Sequence, residues 1–323
     1  MTNNIMVSIC CNAFNHKEYI AETLDSLLSQ KTNFKFEIIV HDDASIDGTQ
    51  NIIEKYAKRY PDIIYPILEK ENQYSKGVDV TKDITVLPMK GKYLAFCEGD
   101  DFWTDDNKLQ KQVDIMESDD KISMCCHAHR RIKAKNKKQI NICRATIEQD
   151  GFIGKEDCLS SSNFPHLTSM LVRLNDYINM PKIFEKLPIG DYPLRAYMLS
   201  LGKVYYIDEV MSSYRVMSPS SWSKKFQFNM EYRYNTNKKM DEFLLRYDEY
   251  TNYIYHDYIN GLIEEKDFNT AIFTGHYDEA MQSPIYEKAG GGKKLLIKIG
   301  LKNPKLAMKL GNLYSAIKNK IKP

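Results

Sequence analysis

Three carboxylates fall within four positions, Glu98, Asp100 and Asp101, directly after the apolar run Tyr93-Leu94-Ala95-Phe96-Cys97. Carboxylates this close repel one another unless a cation sits among them. Mg²⁺ and Mn²⁺ prefer oxygen ligands and take one or two carboxylates together with substrate phosphates. Taken alone, CEGDD reads first as a solvated turn before a helix and second as a cation and diphosphate site. A second acidic pair, Asp42 and Asp43 in HDDAS, ends the apolar run Phe36 to Val40. A third candidate, Asp191 in GDYPL, opens a helical stretch, where spacing alone suggests a helix cap before it suggests a general base.

The elements that must position these groups alternate between strand and helix. Ile5 to Cys11 is a short β-branched and apolar run. A loop follows at Asn12-Ala13-Phe14-Asn15-His16, and then a helical pattern from Lys17 to Gln30 with Ile20, Leu24, Leu27 and Leu28 on its buried face. Phe36–Val40 is a second strand, leading into a helix that carries Ile52, Ile53 and Tyr56; Ile63 to Leu68 and Tyr93 to Cys97 are further strands. This order predicts βαβ units and a mainly parallel, Rossmann-like sheet flanked by helices. In such sheets ligands gather at the carboxyl ends of strands, where both acidic clusters stand.

Downstream, Thr104 with Asp105 and Asp106 predicts a capped helix start, Ile122 to Cys126 a strand, and residues 131–150 a loop. The stretch from Phe152 to Tyr214 mixes short strands with a helix at Tyr192–Leu201. From Phe226 to Met281, Tyr and charged residues at helical spacing predict a helical appendage, and Gly290-Gly291-Gly292 a flexible joint to the tail. The expected organisation is a catalytic-type domain over residues 1–225, the appendage over 226–288 and a basic tail over 289–323.

Composition, at 43% hydrophobic and 27% charged residues, is that of a globular chain long enough for a full core. The net charge of +2 conceals an asymmetry: ten lysines and no acid lie from Lys288 to Pro323, leaving 35 basic against 43 acidic residues before them. An acidic body argues against nucleic acid as the partner. In the tail, Leu306, Leu310, Leu313 and Ile317 keep helical spacing among lysines, the pattern of a helix that lies on a membrane surface. With no leader-like N-terminus and no apolar span, the expected location is the cytoplasm, peripheral to the inner face of the cell membrane. The seven cysteines include two adjacent pairs and are expected to be reduced and buried. Cys125, His127 and His129 alternate onto one strand face without a second ligand cluster, so a strand entering a loop is preferred to a zinc site.

Five stretches occur in an order that resembles family 2 glycosyltransferases, inverting enzymes of the GT-A fold: VSICCNAFNHKEYIAETLDSLLSQ, FEIIVHDDASIDGT, YLAFCEGDDFW, IGDYPL and YRVMSPSSWS, together spanning Val7 to Ser223. The resemblance implies that Asp43 meets the nucleotide base, with Asp42 beside it and Asn12, Ala13 and Phe14 bordering the base pocket. It implies Glu98 near the ribose, Asp100 as the ligand of a divalent metal with Asp101 next to it, and Asp191 as the base. It also implies acceptor or diphosphate contacts from His166, Arg215 and Trp222. Relatives of the pattern YRxHxxGxW place a His where this chain has Met217, which cannot ligate a hard cation. The implied reaction is transfer of a sugar from a nucleoside diphosphate donor, UDP expected, to a hydroxyl of a lipid-linked saccharide during capsule or O-antigen assembly. A sugar nucleotidyltransferase would carry a glycine-rich phosphate loop near the N-terminus, and Ser8 to Asn15 holds none. An inactive nucleotide-sugar-binding module of the same fold is the other alternative.

Overall fold

The computed structural model describes residues 4–160, 164–185, 187, 189–216, 226, 229–307 and 309–310. It divides into two compact units, Met1–Ser221 and Trp222–Pro323. In the first, the strands are β1 (Ile5–Ala13), β2 (Lys35–Asp42), β3 (Ile64–Leu68), β4 (Tyr93–Phe96), β5 (Phe102–Trp103), β6 (Ile122–Lys133), β7 (Gln139–Cys143), β8 (Gly151–Ile153), β9 (Leu171–Arg173) and β10 (Lys203–Val216). The helices are α1 (Ile20–Leu28), α2 (Thr49–Arg59), α3 (Lys108–Ser118), α4 (Lys155–Cys158), α5 (Leu174–Ile178) and α6 (Asp191–Leu201).

All ten strands belong to one sheet of order β3-β2-β1-β4-β9-β6-β10-β5, with β7 on β6 and β8 on β10. Strands β3, β2, β1 and β4 run parallel, and β10 runs parallel to β6, while β9, β5, β7 and β8 are antiparallel additions. The chain winds outward from β1 through β2 to β3 and then returns to place β4 on the other side of β1. The crevice beyond the carboxyl ends of β1 and β4 is therefore the topological switch point, where doubly wound sheets bind ligands. The core explains the unbroken apolar runs: Val7, Ile9, Cys11, Ile38, Val40, Tyr93 and Ala95 are buried together with Ile20, Leu24 and Leu27 of α1. Six of the seven cysteines are buried, and all seven are free.

The structure corrects two expected boundaries. Thr104 does not cap a helix: its N–H is bonded to the Met211 carbonyl at 2.9 Å, because Phe102–Trp103 pair with β10 and keep the chain extended, and α3 starts only at Lys108. Residues 131–150 are not all loop, since β6 continues to Lys133 and β7 returns along it. β7 is mostly exposed, so no apolar pattern marked it.

In the second unit the first helices are α7 (Met230–Tyr250), α8 (His256–Thr274) and α9 (Tyr277–Gln282). The triple glycine is not a loose joint: Gly290 precedes α10 (Gly291–Lys302), whose Ile297 is buried with Phe268, Tyr277 and Ala280. Gly300 lies flat against Tyr277, where a Cβ would come within 2.4 Å of the ring. The first part of the tail is thus built into this unit rather than appended to it.

Candidate active site

The acidic loop is held from both sides of the switch point. The Gly99 N–H donates to the Asn12 carbonyl at 2.8 Å and the Asp101 N–H to the Glu98 carbonyl at 2.9 Å. The Thr23 hydroxyl of α1 lies 3.0 Å from the Gly99 carbonyl and 2.6 Å from the Asp101 carbonyl. Gly99 is required by space: a Cβ there would meet the Ala13 Cβ and His16 Nδ1 at 2.9 Å. The glycine inside CEGDD therefore lets the β4 loop close onto the β1 loop.

The three acids have separate fates. Asp101 is fully buried and accepts the Arg215 N–H at 2.8 Å. Burial, then the like charges of Asp100 and Glu98, push its carboxyl well above the usual range, opposed by Arg215. Asp100 is 7% exposed, with His16 Nε2 3.9 Å from its Oδ2. Glu98 reaches solvent although protein surrounds it; that partial desolvation raises its carboxyl, followed by the charges of Asp100 and then Asp191. Asp191, distant in sequence, is thereby brought within electrostatic reach of the acidic loop.

Arg215 supplies positive charge beside the buried Asp101. Its side chain is almost fully buried, bonded to the Asp100 carbonyl and, at 2.5 Å, to Glu22 Oε2. Its guanidinium lies 5.0 Å from the Tyr19 ring centre and 4.6 Å from that of Phe102. The structure thus places Arg215 beneath the loop as a brace, not out in the crevice against a diphosphate. Sequence reasoning missed Glu22 as the partner of Arg215, and Thr23 and His16 as neighbours of the acidic loop, because nothing in their spacing links this segment to β10 or to the β4 loop.

On the other side of β1, the second acidic pair orders two loops. Asp42 is fully buried, and its carboxylate accepts from the Ser45 N–H at 2.8 Å, the Ser45 hydroxyl at 2.6 Å and the Gln50 amide at 2.7 Å. These bonds commit it to the turn in which Ala44 takes a left-handed φ of 63°. Asp43 accepts the N–H groups of Gln73 at 2.6 Å and Tyr74 at 3.1 Å, two of the roughly four lone-pair sites of a carboxylate. Its own N–H is bonded to the Ala13 carbonyl at 3.0 Å. The Asn12 side chain is tied to Thr81 and Thr85, each at 2.8 Å, while Phe14 is 37% exposed.

Asp191 is the first residue of α6, following Gly190. It is partly exposed, and desolvation raises its carboxyl, opposed by the Arg195 charge and by the N–H groups of Tyr192 and of Asp191 itself. Arg195, one turn along, donates to the Phe164 and Ser160 carbonyls. His166 is buried, its ring 4.1 Å from that of Tyr214. Trp103 is a buried wedge under the acidic loop, covered by the Lys108 ammonium at 3.9 Å. Met217 and Trp222 lie outside the described residues.

Glu98 and Asp100 stand on the acidic loop beyond the carboxyl end of β4, Glu98 exposed and Asp100 7% exposed, whereas Asp101 is turned inward to the Arg215 N–H. Among the described residues no three His, Cys, Asp or Glu side chains converge into a complete metal cage. One carboxylate plus substrate phosphates is a recognised way of holding Mg²⁺ or Mn²⁺, so the residues present fit such an ion only together with a diphosphate.

Residues 8–178 match the family model described as Glycosyl transferase family 2. The chain belongs to glycosyl transferase family 2. An uncharacterised protein of Mycobacterium tuberculosis is 34% identical over 221 residues, 68% of this chain and 61% of that protein. The match thus spans about three-fifths of the relative's length. The UDP-Glc:alpha-D-GlcNAc-diphosphoundecaprenol beta-1,3-glucosyltransferase of Escherichia coli is 36% identical over 114 residues, 35% of this chain and 42% of that enzyme. The crystal structure of S. aureus TarS residues 1–349 with UDP-GlcNAc superposes with a TM-score of 0.59 at 16% identity, covering 90% of this chain and 78% of that one. The fold of this family 2 member is accordingly GT-A, as its sequence motifs implied.

Proposed function

We propose that this chain is an inverting glycosyltransferase that moves a sugar from a nucleoside diphosphate donor, UDP in the first instance, to a hydroxyl of a lipid-linked saccharide in cell-surface polysaccharide assembly. The observation that carries this reading is the convergence of Asp100, Glu98 and Asp191 at the β1/β4 switch point, with Asp43 on the adjoining loop. Donor and acceptor can then meet between a phosphate-binding side and a base-bearing side. The E. coli relative's UDP-glucose donor and diphosphoundecaprenol-linked acceptor support the same substrate classes here.

Each residue has a distinct task. Asp43 has acceptor capacity left for the N–H of a pyrimidine base, and Asn12, Ala13 and Phe14 line that side; Glu98 stands nearest the ribose. Asp42, Asp101 and Arg215 hold the loops that present them. Asp100 would hold a divalent ion, which supplies neutralisation of the charge on the departing diphosphate. Asp191 removes the proton of the attacking hydroxyl. Mn²⁺ with UDP should raise the melting temperature, and Asp100→Ala should abolish the metal-dependent part of that rise. A thermal-shift panel of UDP, GDP, dTDP and CMP sugars with and without Mn²⁺ checks both. A mutant that still responds to Mn²⁺ with UDP removes the metal assignment, and no shift with any nucleotide removes the function.

The acceptor's lipid implies a membrane surface. Among the described residues no helix is long and apolar enough to cross a membrane. Leu295, Leu301, Leu306 and Leu310 are nevertheless exposed beside the exposed lysines 298, 302, 305 and 309. That combination suits the interface of an anionic bilayer, to which each lysine contributes about 1 kcal/mol. Changing these four lysines to Glu should weaken binding to phosphatidylserine-containing vesicles by more than ~100-fold. Unchanged co-sedimentation would sink the membrane reading. Point substitution is preferable to truncation at residue 290, because Ile297 and Ala307 belong to the core of the second unit.

A further inference from the structure

On the sheet face opposite Arg215, strand alternation puts His129 and Arg131 of β6 beside Ser212 and Tyr214 of β10, in register as His129 with Ser212 and Arg131 with Tyr214. His166 covers them, its ring 5.1 Å from that of His129. His129 and Ser212 are fully buried, yet among the described residues neither ring nitrogen of His129 nor the Ser212 hydroxyl has a hydrogen-bond partner, and Arg131 Nε is likewise buried without one. A neutral imidazole always carries one N–H, so at least one buried donor of His129 is unpaired. Native proteins rarely leave such groups unsatisfied without a ligand, water or functional reason.

The chemistry of the cluster is one-sided. His166 Nδ1 accepts the Thr168 N–H at 3.3 Å, which places its proton on Nε2 and makes that edge a donor. Burial, then Arg131 and Arg195, hold this imidazole down to about 3, so it donates as a neutral group. Arg195 donates to backbone carbonyls of residues 160, 164 and 165. The nearby Asp157 carboxylate accepts from the Thr146 N–H at 2.8 Å and the Thr146 hydroxyl at 2.9 Å. The cluster thus gathers N–H and O–H donors of neighbouring side chains with guanidinium charge beside them, the complement of an oxyanion. Arg195 is also within electrostatic reach of Asp191, so the cluster flanks the base.

We propose that His129, Arg131, His166 and Ser212 form an oxyanion site that receives a phosphate group carried by the acceptor. This rests on the acceptor class proposed above: the hydroxyl is presented to Asp191 while the phosphate that joins saccharide to lipid is held behind it. The donor diphosphate belongs to the Asp100 side of the crevice, so the two phosphate sites are separate.

The test is calorimetric titration of the full-length chain with inorganic pyrophosphate after saturation with UDP. Pyrophosphate should still bind, and Arg131→Met and His166→Phe should each weaken it by about tenfold or more with UDP affinity unchanged. Arg131 is only half-buried, so its variant is expected to fold, which far-UV circular dichroism checks. Exclusion of pyrophosphate by UDP, or equal binding by both variants, overturns the site. In kinetics, Arg131→Met should raise KM for a saccharide bearing a reducing-end phosphate and leave KM for the phosphate-free saccharide unchanged; equal changes overturn its assignment to the acceptor. If UDP itself fails to bind, the donor reading fails, and the same variants titrated without UDP still decide whether the anion site exists.

Discussion

Asp191→Asn is expected to lower sugar transfer by about 10²- to 10⁴-fold while leaving the affinity for UDP unchanged, the range a positioned general base contributes. Asn keeps the size and the acceptor oxygen at the first position of α6 but cannot take a proton. A loss of this kind appears in kcat and kcat/KM together. The pH profile gives an independent reading. Desolvation raises the Asp191 carboxyl, and Arg195 only partly restores it. A base acts when ionised, so kcat/KM of the parent chain should fall as pH drops through a value above the ordinary aspartate value of about 3.9. That acid limb should vanish in Asp191→Asn. Turnover equal to the parent's would remove Asp191 as base, and an acid limb retained in the variant would assign it to another group.

Arg215→Met should have the largest effect on stability. The guanidinium is almost fully buried, bonded to Glu22 and to the Asp100 carbonyl, and stands beneath Asp101, whose own side chain is fully buried. Glu22 is 36% exposed and keeps Lys137, so the loss comes from the buried Asp100 carbonyl and the Asp101 environment, where each buried polar group left unpaired costs about 1–3 kcal/mol. Methionine fills similar volume between Tyr19 and Phe102 but returns neither hydrogen bond nor charge. Urea unfolding followed by circular dichroism should show the midpoint falling with little change in slope. Donor binding should weaken as well, since Asp100 would lose the backbone bond that holds its loop. Arg215→Lys should recover only part of the loss, because an ammonium cannot bridge Glu22 and the loop carbonyl with a planar fork. A stability change below 1 kcal/mol in Arg215→Met would show that the brace is not energetically coupled to the loop.

The placement of the candidate residues on strand ends and a helix start was legible before any coordinates. Apolar runs that stop at acidic residues are visible as a one-dimensional pattern, because strands buried on both faces need continuous apolar sequence and their carboxyl ends face the ligand crevice. Motif order then named the family, and Asp43, Glu98, Asp100 and Asp191 stand at the ends of the elements foreseen for them. The spacing of Gly99 inside CEGDD was equally readable, although its reason, contact with Ala13 and His16, was not.

The sequence by itself therefore determined the buried strands and helices, the family and the candidate acids, since each depends on local pattern along the chain. Only the tertiary structure decided which acids remain available. It turned Asp42 and Asp101 inward and set Arg215 beneath the loop. It brought Asp191 to Glu98, and it gathered His129, Arg131, His166 and Ser212 on the far face. The physical reason is that burial and hydrogen-bond partners are properties of contacts between distant segments. Arg215 and Glu22 are 193 residues apart, a separation at which sequence spacing carries no information about contact.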